Sequence, residues 1–182
     1  AESGHALLQP RLPGLELGEV AADAGVYGLH ATLKPPFRLA TDWHALRADA
    51  LALAARTRPF ALPPLVLAEH HGFLALIESA KSDDLQALCD ACVTVLDAHR
   101  VPPTDAEIAR RNPDRMTARQ RDYLHRWGYH YVLDEWWFHV TLSRRLNAEE
   151  RAIVQPALAT HLGNAPALPR RVTELSLFTQ AT

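Results

Sequence analysis

Two short segments repeat one pattern: His30, Ala31, Thr32 and Leu33 in the first part of the chain, and His139, Val140, Thr141 and Leu142 in the second. A pair of imidazoles with a pair of hydroxyls suits in-line displacement at a phosphodiester. One histidine takes a proton from the nucleophile while the other protonates the departing oxygen. Both unperturbed pKa values lie near about 6.5, so one ring can be neutral and the other protonated around neutral pH. The hydroxyls of Thr32 and Thr141 can donate to non-bridging phosphoryl oxygens, where charge grows in the transition state. Such chemistry needs neither metal nor cofactor, and none is expected.

A single His-x-Thr is common by chance, so the elements around the two copies matter. VYGLHATL at 26–33 is apolar, free of proline and ended by Pro35 and Pro36, which predicts a strand. Alternation in that strand puts His30 and Thr32 on one face, and the same rule puts His139 and Thr141 on one face with Phe138, Val140 and Leu142 turned to the core. DWHALRADALALAARTR predicts an amphipathic helix behind a Thr41 or Asp42 cap, and LPPLVLAEH with GFLALIES predicts a hairpin turning at Gly72. Apolar residues recur at helical spacing over 83–99 behind Ser82.

Residues 101–128 are rich in Arg and Asp and predict two short helices joined by a turn. A strand over YVLDEWWFHVTLSRRL, a helix over NAEERAIVQPALATHL disturbed at Pro156, and a closing strand VTELSLFTQ complete the pattern. Residues 1–24 read as loop with a short helix. The two halves thus share the order strand, helix, strand, and the His-x-Thr copies occupy corresponding strands. The expected architecture is a single α+β domain: a lobe with the first motif over about 25–100, a helical insertion over about 101–128 and a lobe with the second motif over about 129–182.

A chain of 182 residues, 48% hydrophobic, can bury a sizeable core. Its formal charge of -2 and pI near 6.6 supply no basic field for long nucleic acid, while a small anion remains an open partner. No apolar run approaches the roughly 20 residues that span a bilayer, so a cytoplasmic protein without membrane contact is expected. The chain opens on Ala1 rather than Met, so native sequence upstream of it is expected. Cys89 and Cys92 read as reduced core thiols. His5, His44, His70, His71, His99, His125 and His161 show no ligand spacing and read as surface or turn histidines.

At YGLHATLKPPFRLA (27–40), RWGYHYVLDEWWFHVTLSRRL (126–146) and VTELSLF (172–178), the sequence resembles the 2H phosphoesterase superfamily, in particular the branch associated with phosphonate-degradation genes. The resemblance covers most of the chain. It implies a bilobal fold with two pseudo-symmetric lobes, antiparallel sheets forming a central cleft and helices outside. It also implies a phosphorylated sugar as substrate, in the first place 5-phosphoribosyl 1,2-cyclic phosphate opened by water, with the ribose 1,5- and 2,5-bisphosphate products both open. Following the superfamily, His139 is assigned as base and His30 as acid, although pseudo-symmetry lets the roles exchange. Two departures stand out: His130 replaces a proline of the family pattern, and the family's first strand lies upstream of this sequence.

Substrate-binding candidates surround the motifs. Lys34 and Arg38 follow the first copy and suit a terminal phosphate, with solvated loop charge as the alternative. Tyr27 precedes His30 by three residues, on the far strand face unless the strand twists. Tyr129 and Tyr131 could close over a sugar, and Arg144 and Arg145 end the second copy, with only Arg145 on the face of Thr141. The Arg110–Arg126 helices could receive a second phosphate or be solvated, and of Trp136 and Trp137 one could line the cleft. Two other functions fit the same residues: a 2',3'-cyclic nucleotide or RNA-end phosphodiesterase, and a non-catalytic nucleotide or phosphosugar binding module.

Overall fold

The computed structural model describes residues 12–180. In chain order the elements are helices α1 (Leu17–Val20), α2 (Ala22–Tyr27) and α3 (Trp43–Arg56), strands β1 (Phe60–Leu62), β2 (Leu65–His70) and β3 (Phe73–Glu78), helices α4 (Asp83–Val95), α5 (Asp105–Arg110) and α6 (Ala118–Trp127), strand β4 (His139–Thr141), helix α7 (Ala148–Leu162) and strand β5 (Arg170–Val172). The mixture of helices and antiparallel sheet agrees with the α+β reading. The chain divides into two compact units. One holds the chain up to Ala31 with Pro63–Ala80 and Phe138–Arg170; the other holds Thr32–Leu62, Lys81–Trp137 and the chain from Arg171 onward.

The first unit is built on the antiparallel sheet β2-β3-β4. Its hairpin turns where the sequence expects: His71 (φ 49) and Gly72 (φ 90) both take positive φ between the paired residues His70 and Phe73. That conformation is the one a two-residue hairpin turn requires, and it explains the glycine. Glu69 Oε1 accepts from the Gly72 N–H at 2.7 Å and fastens the turn. Leu67 and Leu74 share one sheet face and join a core with Leu12, Val20, Leu146, Val154, Ile153 and Leu158, contributed largely by α1 and α7. Helix α7 starts on a reciprocal cap between Asn147 and Glu150. It runs through Pro156 as one helix, where the sequence suggested a disturbance.

The second unit packs α3 against α4. Asp42 caps α3 through the Ala45 N–H and Ser82 caps α4 through the Leu85 N–H, both as expected. Leu46, Ala50 and Leu53 of α3, with Leu85, Leu88, Cys89, Cys92 and Val93 of α4, are buried. Both cysteines are free thiols. Burial raises both, Cys92 to about 11, which fits inert core thiols. The two helices expected within 101–128 are α5 and α6, each opening on a capping box, Thr104 with Glu107 and Thr117 with Gln120.

Further expectations fail. Of the strand read over residues 131–146 only His139–Thr141 forms, preceded by a 3-10 turn at Leu133–Glu135. Residues 26–33 form no strand: Val26 and Tyr27 complete α2, and Gly28 leaves it with φ 71 and ψ -175, a conformation that favours glycine. The closing strand ends at Val172, leaving Leu177 and Phe178 exposed rather than in a sheet. His99, read as a surface or turn residue, is only 4% exposed, held by Thr41 Oγ1 at 2.6 Å and Asp49 Oδ2 at 2.9 Å. Helix α3 brings that carboxylate to the imidazole, a pairing that spacing of histidines alone does not reveal. His5 lies outside the described residues.

Candidate active site

The second motif sits on β4 with its alternation intact. Ile77 pairs with His139, Leu76 with Val140 and Ala75 with Thr141, and cross-strand partners share a face. One face therefore carries His139 and Thr141 on β4, Phe73, Ala75 and Ile77 on β3, and Ala68 and His70 on β2. The opposite face, with Leu67 and Leu74, packs on the core. The adjoining turn is fixed from within: the Leu142 N–H donates to Leu74 O at 2.9 Å and the Leu74 N–H donates to Ser143 Oγ at 2.9 Å.

On that face the Phe73 ring lies 6.0 Å from the His139 ring and 6.0 Å from the His70 ring. His70 also meets His71 edge-on at 4.0 Å. Its pKa is lowered, first by burial and then by the neighbouring imidazoles of His71 and His139, so the neutral ring is favoured. Reading His70 as a turn histidine missed its place beside His139. The signal was in the sequence: a two-residue turn at His71 and Gly72 pairs His70 with Phe73, which fixes their common face.

The first motif is held differently. His30 Nδ1 lies 3.0 Å from the Gly28 carbonyl. A carbonyl only accepts, so Nδ1 carries the proton in that contact. Downstream, in the second unit, the Trp136 indole N–H donates to Thr32 O at 3.0 Å, and the Cys89 thiol donates to Leu33 O at 3.1 Å. Side chains thus take the carbonyls that a strand partner would have taken.

The remaining candidates divide by their partners. Lys34 Nζ is nearly enclosed, donating to Val93 O at 3.0 Å and to Asp97 Oδ1 at 3.1 Å; burial lowers its pKa while Asp97 works against that shift. Arg38 is exposed and pairs with Glu107 at 3.0 Å. Tyr27 closes α2. The Tyr129 and Tyr131 rings lie 6.0 Å apart, the Arg111 guanidinium lies 5.1 Å over Tyr129, and burial raises the Tyr129 hydroxyl. His130, packed 4.1 Å from Tyr131, is lowered by burial. Arg144 grips Glu150 through two hydrogen bonds of 3.0 and 2.8 Å, whereas Arg145 lies exposed along Gly72. Among the described residues no group of three or more His, Cys, Asp or Glu is placed to hold a metal ion, and no described helix is long and apolar enough to cross a membrane.

A family model described as "Protein of unknown function (DUF1045)" matches residues 32–182. The chain belongs to the DUF1045 family. The DUF1045 match includes Thr32, Trp136, His139 and Thr141 and starts two residues after His30. Two curated relatives carry the name "Ribose 1,5-bisphosphate phosphokinase PhnN". The one from Janthinobacterium sp. (strain Marseille) is 34% identical over 174 residues, covering 92% of this chain and 38% of its own length. The one from Laribacter hongkongensis (strain HLHK9) is 32% identical over 163 residues, covering 87% of this chain and 37% of its own length. The chain therefore spans under two-fifths of the curated relatives it matches. No solved structure matches it.

Proposed function

We propose that this DUF1045 chain is a metal-independent cyclic phosphodiesterase of the 2H type, with His30, Thr32, His139 and Thr141 as its catalytic residues. The observation that carries the reading is the second motif: His139 and Thr141 share the sheet face opposite the packed core, which is where groups that handle substrate belong. With His30 Nδ1 donating to Gly28 O, Nε2 is the nitrogen assigned to the reaction.

In this reading His139 takes a proton from water as the water oxygen attacks phosphorus. The bond from phosphorus to the opposite ring oxygen breaks, and that oxygen leaves with the proton of His30. Thr32 and Thr141 donate to the non-bridging oxygens. The hydroxyl of Thr141 is on the face of His139, as the mechanism needs.

The relatives' printed name supports a phosphorylated ribose as the substrate class. It also bears on the leaving oxygen. Opening 5-phosphoribosyl 1,2-cyclic phosphate with O2 departing leaves the phosphate on C1, giving ribose 1,5-bisphosphate, the compound in the relatives' name. The phosphokinase activity in that name is not assigned to this chain. Its two lysines, Lys34 and Lys81, follow Leu33 and Ala80, so no G-x-x-x-x-G-K-S/T phosphate cradle is present in the 182 residues.

Phosphorus NMR of the products formed from 5-phosphoribosyl 1,2-cyclic phosphate and from 2',3'-cyclic nucleotides tests the assignment. Ribose 1,5-bisphosphate as main product supports it, and the 2,5 isomer would reverse the leaving oxygen. Preference for the nucleotides would move the protein to RNA-end chemistry, and turnover of neither would favour a binding module.

A further inference from the structure

The hairpin end beside His139 gathers cationic and hydrogen-bonding groups that the two His-x-Thr motifs do not account for. His70 is brought onto the His139 face by register, with the Phe73 ring 6.0 Å from each of the two imidazoles. His71 follows it into the turn with its ring 4.0 Å from that of His70. Arg145 lies across the same turn, its Cγ 3.7 Å and its Nη1 3.9 Å from the position a Cβ would take on Gly72. The Arg145 side chain thus lies within ordinary van der Waals reach of the turn at Gly72.

Arg145 differs from its neighbour Arg144 in a way that matters. The Arg144 guanidinium is committed to Glu150 by two hydrogen bonds, while among the described residues no ion pair or hydrogen bond occupies that of Arg145, which is exposed. The nearby carboxylate is also committed: Glu69 accepts from the Gly72 N–H at 2.7 Å and sits 3.7 Å from Arg151 of α7. The groups around the hairpin end are therefore His70, His71 and His139, the committed Glu69 and Arg151, and the uncommitted Arg145. A guanidinium lying along a turn that carries two imidazoles suits a phosphate monoester, which accepts several hydrogen bonds at once.

We propose that Arg145, with His70 and His71, forms a subsite for the second, terminal phosphate of a phosphorylated sugar whose reacting phosphate lies at His139. The subsite makes the enzyme selective for a substrate carrying two phosphates on one sugar, and the Phe73 ring, 6.0 Å from both His70 and His139, offers an apolar surface to the sugar's C–H groups. The inference rests on the proposed function for its reacting end, and the binding end can be tested by itself. Burial and the neighbouring imidazoles lower the His70 pKa and so favour its neutral ring. A phosphate dianion placed against it favours the protonated ring, so binding raises its titration.

Two experiments decide the matter. Histidine NMR of the whole chain, with His70→Gln identifying the resonance, is followed while ribose 5-phosphate or inorganic phosphate is added. The subsite predicts that ribose 5-phosphate shifts the His70 signals and raises its titration midpoint, and that Arg145→Ala loses this response. No shift in the wild-type protein, or an equal response in Arg145→Ala, overturns the subsite whether or not the protein turns over cyclic phosphates. An equal response to inorganic phosphate in both proteins would mark an adventitious ion only and likewise overturn it.

In turnover, the ratio of kcat/KM for 5-phosphoribosyl 1,2-cyclic phosphate over ribose 1,2-cyclic phosphate is expected to fall about 10- to 100-fold in Arg145→Ala, mainly through KM, the scale of one lost charge-assisted hydrogen bond. An unchanged ratio contradicts the subsite. Absence of turnover on both substrates in wild type contradicts the catalytic reading and leaves the NMR result to judge the subsite.

Discussion

The two His-x-Thr copies share three letters and their spacing but are held by different physics. His139 and Thr141 belong to β4, where backbone pairing with β3 sets their common face and a packed core lies behind them. His30 and Thr32 lie after α2 in a segment without strand pairing, set by the Gly28 bend, the His30 bond to Gly28 O and the hold of Trp136 on Thr32 O. The comparison teaches that a repeated motif in a duplicated pattern does not require a repeated backbone. A strand presents side chains by alternation, whereas a pinned loop presents them by individual hydrogen bonds.

Several substitutions break or sharpen that contrast. Leu74 is fully buried beneath the sheet, so Leu74→Ala is expected to cost about 2–5 kcal/mol of unfolding free energy in urea, undermining the second motif through the fold. Gly28→Ala acts on the first motif alone. With φ 71 and ψ -175 a side chain there is strained, at roughly 1–3 kcal/mol, and catalytic rate should fall more than for alanine at an exposed glycine of ordinary φ such as Gly25.

Trp136→Phe keeps the ring and removes the indole donor to Thr32 O. The expected loss is about 1 kcal/mol, read as a roughly fivefold lower kcat; an unchanged kcat would mean that this bond does not set the first motif. The smallest effect concerns the turn after β4. Arg144 and the Asn147 N–H hold the Glu150 carboxyl down at about 2, below the ordinary value of about 4.3. This contact contributes above the ordinary value and is lost as pH falls toward 2, so acid unfolding curves of wild type and Glu150→Gln should converge over that window. Curves that stay parallel would show that the ion pair adds nothing measurable.

Much of this was legible in the sequence for identifiable reasons. Caps at Asp42 and Ser82, the turn at Gly72 and the helical spacing of α4 are local signals, and local signals survive folding. The motif strand β4 was legible because apolar residues alternate around His139 and Thr141. The run VYGLHATL misled because period and composition do not say whether a strand partner exists; here Trp136 and Cys89 take the carbonyls instead. Lys34, suited by sequence to a substrate phosphate, is bonded to Asp97, a partner 63 residues away that no local pattern shows. The turn pairs His70 with Phe73 legibly, but its place beside His139 comes from β3 pairing with β4, which no local pattern shows.

The most direct test of the central claim is turnover of 5-phosphoribosyl 1,2-cyclic phosphate after EDTA treatment, comparing wild type with His30→Ala and His139→Ala at several pH values. The account predicts metal-independent opening with a bell-shaped pH profile, and a loss of about 100- to 10,000-fold in each variant, the scale of a general acid or base. Retention of full activity in His139→Ala, or activity in wild type that EDTA abolishes, would contradict it.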